Sequence, residues 1–349
     1  MKRSEIARNL LATAWACAAM LTVAHAAPRA ETVSRGGTTV EFIGLEEWTP
    51  ERIDAALTKG KPIEPYYCAA NLKQDVGMSD ASVMHHMPGK DGKRTIIVTV
   101  VEPQYADRVV YKPQPEGSDA PIDRWEALRK NLAGRTQDVQ IALIKYGEAV
   151  REGNDNAYQA IVKKYGREMP GILEVWQLLS ERRTQADQDR AIWALAHHAD
   201  AETRAVAGAI LAGFPEHDLA VWALVDGLRD ADSSVRSACG QALITWTKNH
   251  ARPIDWEPVL PTLRHLLGGT NLFAFPWVLD MLATTGIESN LVPDLLRDRH
   301  DLVLDTVAAS HERTRDRALT FLRKVSGQEL GPDRDAWQAW IDSLHRDRP

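Results

Sequence analysis

A chain of 349 residues with 44% hydrophobic and 26% charged residues has the composition of a folded protein and room for two or three modules, which excludes a disordered chain. A formal charge of −6 and a pI near 6.0 exclude the strongly basic balance of a nucleic-acid binder.

Residues 1–26 read as a cleaved secretory signal. Lys2, Arg3 and Arg8 precede the apolar run Leu10 to Ala24, and Ala24-His25-Ala26 is a small-x-small cleavage site. The run is shorter than the ~20 residues that a membrane span needs. A secreted protein of the periplasm or cell envelope is expected, with no transmembrane span in the mature chain. Residues 27–37 are expected to be a flexible N-terminus.

Residues 38–113 alternate and turn like a small α+β domain of order strand, helix, helix, strand, strand. Val40 and Phe42 give a strand over Thr38 to Leu45. Thr49-Pro50 opens a helix in which Thr49 caps and Ile53, Ala56 and Leu57 share a face. Tyr66 to Val76 is a second helix. Ala81 to Met87 and Thr95 to Val101 are strands joined by Pro88-Gly89-Lys90-Asp91-Gly92, and Arg108 to Tyr111 extends the last strand. His85 and His86 point to opposite sides of a strand, so they do not chelate together. This element order, with Val40-Glu41-Phe42 and Val98-x-Val100-x-Glu102, resembles a POTRA domain. That resemblance implies partner binding by strand addition at a sheet edge.

Residues 114–121, Gln-Pro-Glu-Gly-Ser-Asp-Ala-Pro, have linker composition.

Residues 122–349 carry helical spacing throughout, beginning with Val139, Leu143, Tyr146 and Val150 and continuing with Leu173, Trp176 and Leu179. A small pattern then recurs. Thr203-Arg204 leads to Ala207 and Ile210-Leu211, Val235-Arg236 to Cys239 and Ala242-Leu243, and Thr314-Arg315 to Ala318 and Phe321-Leu322. Ala274-Phe275 leads to Val278 and Met281-Leu282 without the Arg. The starts lie 32, 39 and 40 residues apart, the signature of a repeat solenoid. Each period holds two helices, such as Leu219 to Leu228 and Ser233 to Trp246. Asp200 and Asp232 occupy N-cap positions, and Asp333 caps a terminal helix bearing Trp337, Trp340, Ile341 and Leu344 on one face. Each Asp and its Arg can pair along the helix and with the adjacent repeat. Cys239 fills a small buried slot, and its pairing with Cys68 is left open.

The Leu224…Leu228, Asp232, Val235-Arg236, Cys239, Ala242-Leu243 pattern resembles a HEAT repeat, with weaker copies at 186–213, 256–285 and 290–325. In the third, Asn271 and Phe275 stand in for the Asp and Arg; in the fourth, His311 replaces the Asp. The resemblance implies a mainly α fold, an α-solenoid of about five helix pairs behind the small α+β domain. It also implies a non-catalytic scaffold that binds a protein partner. Arg204, Arg236, Asn271, Phe275 and Arg315 are the candidate partner-binding residues. The phosphate-loop, His-Glu-x-x-His, Gly-x-Ser-x-Gly and zinc-knuckle patterns are missing. No cofactor, metal or nucleic acid is expected. The alternatives are a HEAT-like enzyme resembling bilin lyases and a ligand-binding envelope protein. Trp193, Trp222, Trp246 and Trp277 offer aromatic surface for either, but their spacing predicts the core. Glu181-Arg182-Arg183 and Arg297-Asp298-Arg299 read as solvated helix ends, and His197-His198 as a helix end where a cation suits the macrodipole.

Overall fold

The computed structural model describes residues 30–59, 65–86, 94–132, 177–179, 181–297 and 299–346. The chain is mainly helical, with one four-stranded sheet near its N-terminus. The signal segment and the helical spacing of residues 139–176 lie outside the described residues.

Strand β1 (Glu31–Arg35) and β2 (Thr38–Ile43) form an antiparallel hairpin. The flexible start expected for residues 27–37 is therefore corrected: residues 31–35 are a strand. Gly36 and Gly37, both at positive φ, supply the two-residue turn that a right-handed hairpin twist favours. The chain then crosses through α1 (Pro50–Thr58) and α2 (Ala69–Asn71), which continues as a π turn over Leu72–Val76. Thr49 caps α1 by accepting the Arg52 N–H at 3.3 Å. Strands β3 (Asp80–His86) and β4 (Arg94–Val101) complete the sheet in the order β1-β2-β4-β3. Only the β2–β4 pairing is parallel, because a helical crossover lies between those two strands. Pro103–Arg108 is a 3₁₀ turn, so the last strand stops at Val101 rather than running on through Tyr111.

Both faces of this sheet are buried. Val40, Phe42, Val98 and Val100 pack with Ile53 and Leu72 of the crossover helices. Ile43, Ile97 and Val101 belong to the core of the helical region. Strand alternation sends successive residues to opposite faces, so adjacent apolar residues such as Phe42–Ile43, Ile97–Val98 and Val100–Val101 are what a two-sided sheet requires.

Residues 114–121 are bound along the helices rather than free. The Lys112 N–H donates to Arg229 O (2.7 Å), and Ala199 N–H to Ser118 O (3.0 Å). His198 is buried with Nε2 3.1 Å from Ala120 O. The segment is a strap that clamps sheet and helices together.

Helix α3 (Glu126–Leu132) follows the strap. Four pairs follow: α4 (Gln185–His197) with α5 (Ala201–Leu211), α6 (Asp218–Gly227) with α7 (Ser233–His250), α8 (Leu260–Leu267) with α9 (Phe275–Thr285), and α10 (Val292–Leu295) and α11 (Asp301–Val307) with α12 (Glu312–Ser326). Helix α13 (Arg334–Arg346) ends the described chain. The second members pack in a row, α5 on α7, α7 on α9 and α9 on α12, while α4, α6, α8 and α10 form a row behind them. Small residues set the spacing. A Cβ on Gly227 would lie 2.4 Å from the Cys239 sulfur, and one on Gly208 3.0 Å from it. Cys239 is fully buried, and the two cysteines among the described residues, Cys68 and Cys239, are free thiols. Trp337 and Ile341 of α13 are fully buried, closing the last pair as the spacing predicts.

Candidate functional site

The repeated Asp and Arg residues do local and cross-repeat work. Asp200 caps α5 through the Thr203 N–H at 2.9 Å, and Asp232 caps α7 through the Ser234 N–H at 2.7 Å. Burial opposes the Asp200 charge, but the Thr203 hydroxyl and N–H outweigh it and hold the carboxyl below the usual range. Asp333 accepts the Asp335 and Ala336 N–H groups, both at 3.0 Å.

Arg204 pairs with the next repeat. Its Nε and Nη2 grip the two oxygens of Asp230 at 2.8 and 2.9 Å, and Nη1 donates to the carbonyls of His198 and Ala199 at 2.9 and 2.8 Å. Arg236 Nη1 donates to the Asp230 and Ala231 carbonyls at 2.7 and 2.8 Å, and its guanidinium stacks on Tyr111. Planar, multiply donating guanidinium suits this bracing of carbonyl ends and carboxylate; an ammonium does not.

The third and fourth pairs lack the repeat's own Asp, and carboxylates from the sheet hold the turns that lead into their second helices. Helix α12 has no side-chain cap of its own. Glu41 of β2, fully buried, accepts the N–H groups of Ser310 and His311 there. Before α9, the Leu272 N–H donates to Asp80 of β3 at 3.2 Å, and the Tyr111 hydroxyl donates to the same oxygen at 2.8 Å. An N-terminal helix end carries free N–H groups and partial positive charge, so it accepts a carboxylate from any source. The sheet is laid across the starts of the second helices by this chemistry. His86 of β3 stacks on His311 with ring centroids 4.0 Å apart. Burial, then His311, Arg313 and Arg317, push His86 down to about 4.

Several sequence expectations change here. Arg204, Asn271 and Phe275 are buried, so they brace the interior instead of offering a partner surface. Asn271 holds a left-handed backbone and donates from Nδ2 to Leu228 O at 2.8 Å. Arg236 and Arg315 are half-buried. Among the four tryptophans expected in the core, Trp246 is there, Trp193 is exposed, and Trp222 and Trp277 are half-buried. Arg182 is buried and donates from Nη2 to Arg124 O at 2.6 Å, so it is no solvated helix end.

Among the open features on the side of the second helices, two adjoin Trp277. The first is the outer edge of β3, which has no strand beyond it among the described residues. A cavity of about 330 Å³ runs beside it, bounded by Ala81 and Val83 of β3, Tyr111, Arg236 and the pair Phe273 and Trp277. Those two rings meet edge to face at 4.7 Å, and Phe273 is 55% exposed. The second is a cavity of about 210 Å³ between α7, α9 and α12, for which Trp277 is also a wall. Sequence reasoning missed Phe273, Lys248, Arg313 and Arg317, because each lies off the repeating positions. It also missed Glu41, although an acidic residue inside the apolar run Val40–Ile43 was a usable signal.

Among the described residues, no group of three or more His, Cys, Asp or Glu could hold a metal ion, and no helix is long and apolar enough to cross a membrane. The chain matches no family model, no curated protein and no solved structure.

Proposed function

We propose that this chain is a non-catalytic interaction protein of the bacterial cell envelope. In this reading a HEAT-like solenoid and a POTRA-like sheet are clamped into one body, and an extended partner segment pairs with the outer edge of β3. The observation that carries the reading is that edge, lying beside the 330 Å³ cavity with Phe273 exposed at its rim. Unpaired strand N–H and C=O groups give such a segment its main-chain hydrogen bonds, and the cavity takes one of its apolar side chains. The two rows of helices support the solenoid reading, the strand order with its parallel β2–β4 pairing supports the POTRA-like one, and the apolar N-terminal run supports export.

A photo-crosslinking residue placed at Phe273, with one at exposed Trp193 as control, tests the reading in cells. One discrete adduct at position 273, absent at 193 and lost on Trp277→Ala, is the expected result. Equal adducts from both positions, or none at 273, would sink it.

A further inference from the structure

The cavity between α7, α9 and α12 has an apolar body and a charged mouth. Leu243 and Ile244 of α7 and Trp277 and Met281 of α9 form its walls. Gly240 makes room for the indole: a Cβ there would stand 3.1 Å from Trp277 Cζ3. Lys248, Arg313 and Arg317 line the same cavity, with Asp280 as the carboxylate among them.

The charges are unequal in number and in use. Arg317 pairs with Asp280 at 3.2 Å. Lys248 and Arg313 are exposed, and neither has an ion-pair or hydrogen-bond partner among the described residues. Glu312 and Asp316 border the neighbouring cleft with Arg313, Arg317 and Asp280, but in the hole itself three cations face one carboxylate. That surplus attracts an anion. Asp280 limits which anion: a dianion would sit against a carboxylate already half-buried.

Size narrows the body. An engineered apolar cavity of about 150 Å³ holds benzene. A space of about 210 Å³ takes a ring with a short tail. Pockets that combine apolar walls with a few convergent polar groups are the usual form of small-molecule sites.

We propose that this cavity binds a small organic monoanion, an aromatic or branched apolar body bearing one carboxylate. The body lies against Trp277 and Met281, and the carboxylate meets Lys248 and Arg313. This site does not depend on strand pairing at β3.

Calorimetric titration of the chain with 3-phenylpropionate, 3-phenylpropionamide and phenyl phosphate tests it. The expected result is saturable binding of 3-phenylpropionate with a Kd of about 1 mM or below. The neutral amide and the phosphate should each bind at least about tenfold more weakly. Lys248→Met and Arg313→Met should each weaken the acid about tenfold with an unchanged melting temperature, as befits exposed side chains. Ile244→Trp, which fills the cavity and leaves the charges, should abolish binding. Equal affinity for acid and amide, unchanged affinity in the Lys248→Met/Arg313→Met double variant, or no saturable binding of the acid would each overturn the proposal.

Discussion

The His311 N–H donates to a carboxylate oxygen of Glu41 at 3.0 Å, across 270 residues of sequence. A strand residue thus holds the turn that leads into the helix of the last pair, where that pair lacks its own aspartate. Glu41→Ala leaves two partly buried N–H groups, of Ser310 and His311, without that acceptor. Each such loss costs about 1–3 kcal/mol. The expected destabilisation is about 2–4 kcal/mol by denaturant unfolding, and Glu41→Gln, which keeps one acceptor oxygen, should cost less. Equal stability of Glu41→Ala and the parent would remove this contact from the account.

Arg204 and Asp230 form a buried bidentate pair between neighbouring repeats. Removing one partner strands the other's charge, which costs about 3–5 kcal/mol. Arg204→Ala and Asp230→Ala should each lower stability by that order. The double variant should lose clearly less than the sum, with a coupling above about 1 kcal/mol in a double-mutant cycle. Additive losses would mean that the carbonyl contacts of Arg204 dominate.

The stacked histidines give the molecule a pH response. His86 falls from 6.5 to about 4, and His311 is also pushed down, first by burial. Between those values the unfolded chain binds the proton that folded His86 refuses, so this contribution to stability is complete above about 6.5 and fades as pH falls toward 4. Asp305, which burial raises to about 7 despite Arg334, acts in the opposite direction. The comparison to make is therefore between parent and His86→Gln. The variant should lose less stability than the parent between pH 6.5 and 4, and parallel curves would rule His86 out.

The two described thiols should differ in reactivity. Cys239 is fully buried, and burial pushes its thiol well above the usual range, whereas Cys68 is half-buried and accepts the Asn71 N–H. Thiolate is the reactive form. Native protein treated with iodoacetamide and mapped by mass spectrometry should carry the label at Cys68, with Cys239 labelled only after denaturation. Rapid native labelling of Cys239 would show that α5, α6 and α7 open far more readily than their packing implies.

Local chemistry was legible in the sequence, and long-range chemistry was not. Thr49, Asp200, Asp232 and Asp333 could be read as caps because each acts on N–H groups two or three residues away. The helical periodicity and the strand alternation were legible for the same reason. Glu31–Arg35 was hidden because its strand character comes from pairing with β2. Gln114 to Pro121 has the composition of a tether, yet carbonyls and N–H groups of distant helices hold it. That Arg204 can pair with the adjacent repeat was legible, but not that Asp230 and two carbonyls would enclose it. The absent Asp in the third and fourth pairs was visible as a departure from the repeat. What holds those two turns instead, Asp80 and Glu41 from the sheet, depended on a docking that no local pattern encodes.

The long reach of Glu41 has a consequence for how the chain is made. At about 5–20 residues per second, a ribosome that has finished Glu41 needs on the order of 10–50 s to reach His311. For that interval the sheet carries a carboxylate and an apolar face with no helix ends to cover them. The hairpin and its crossover helices can close early, but the nascent chain must stay unaggregated until its final helices emerge.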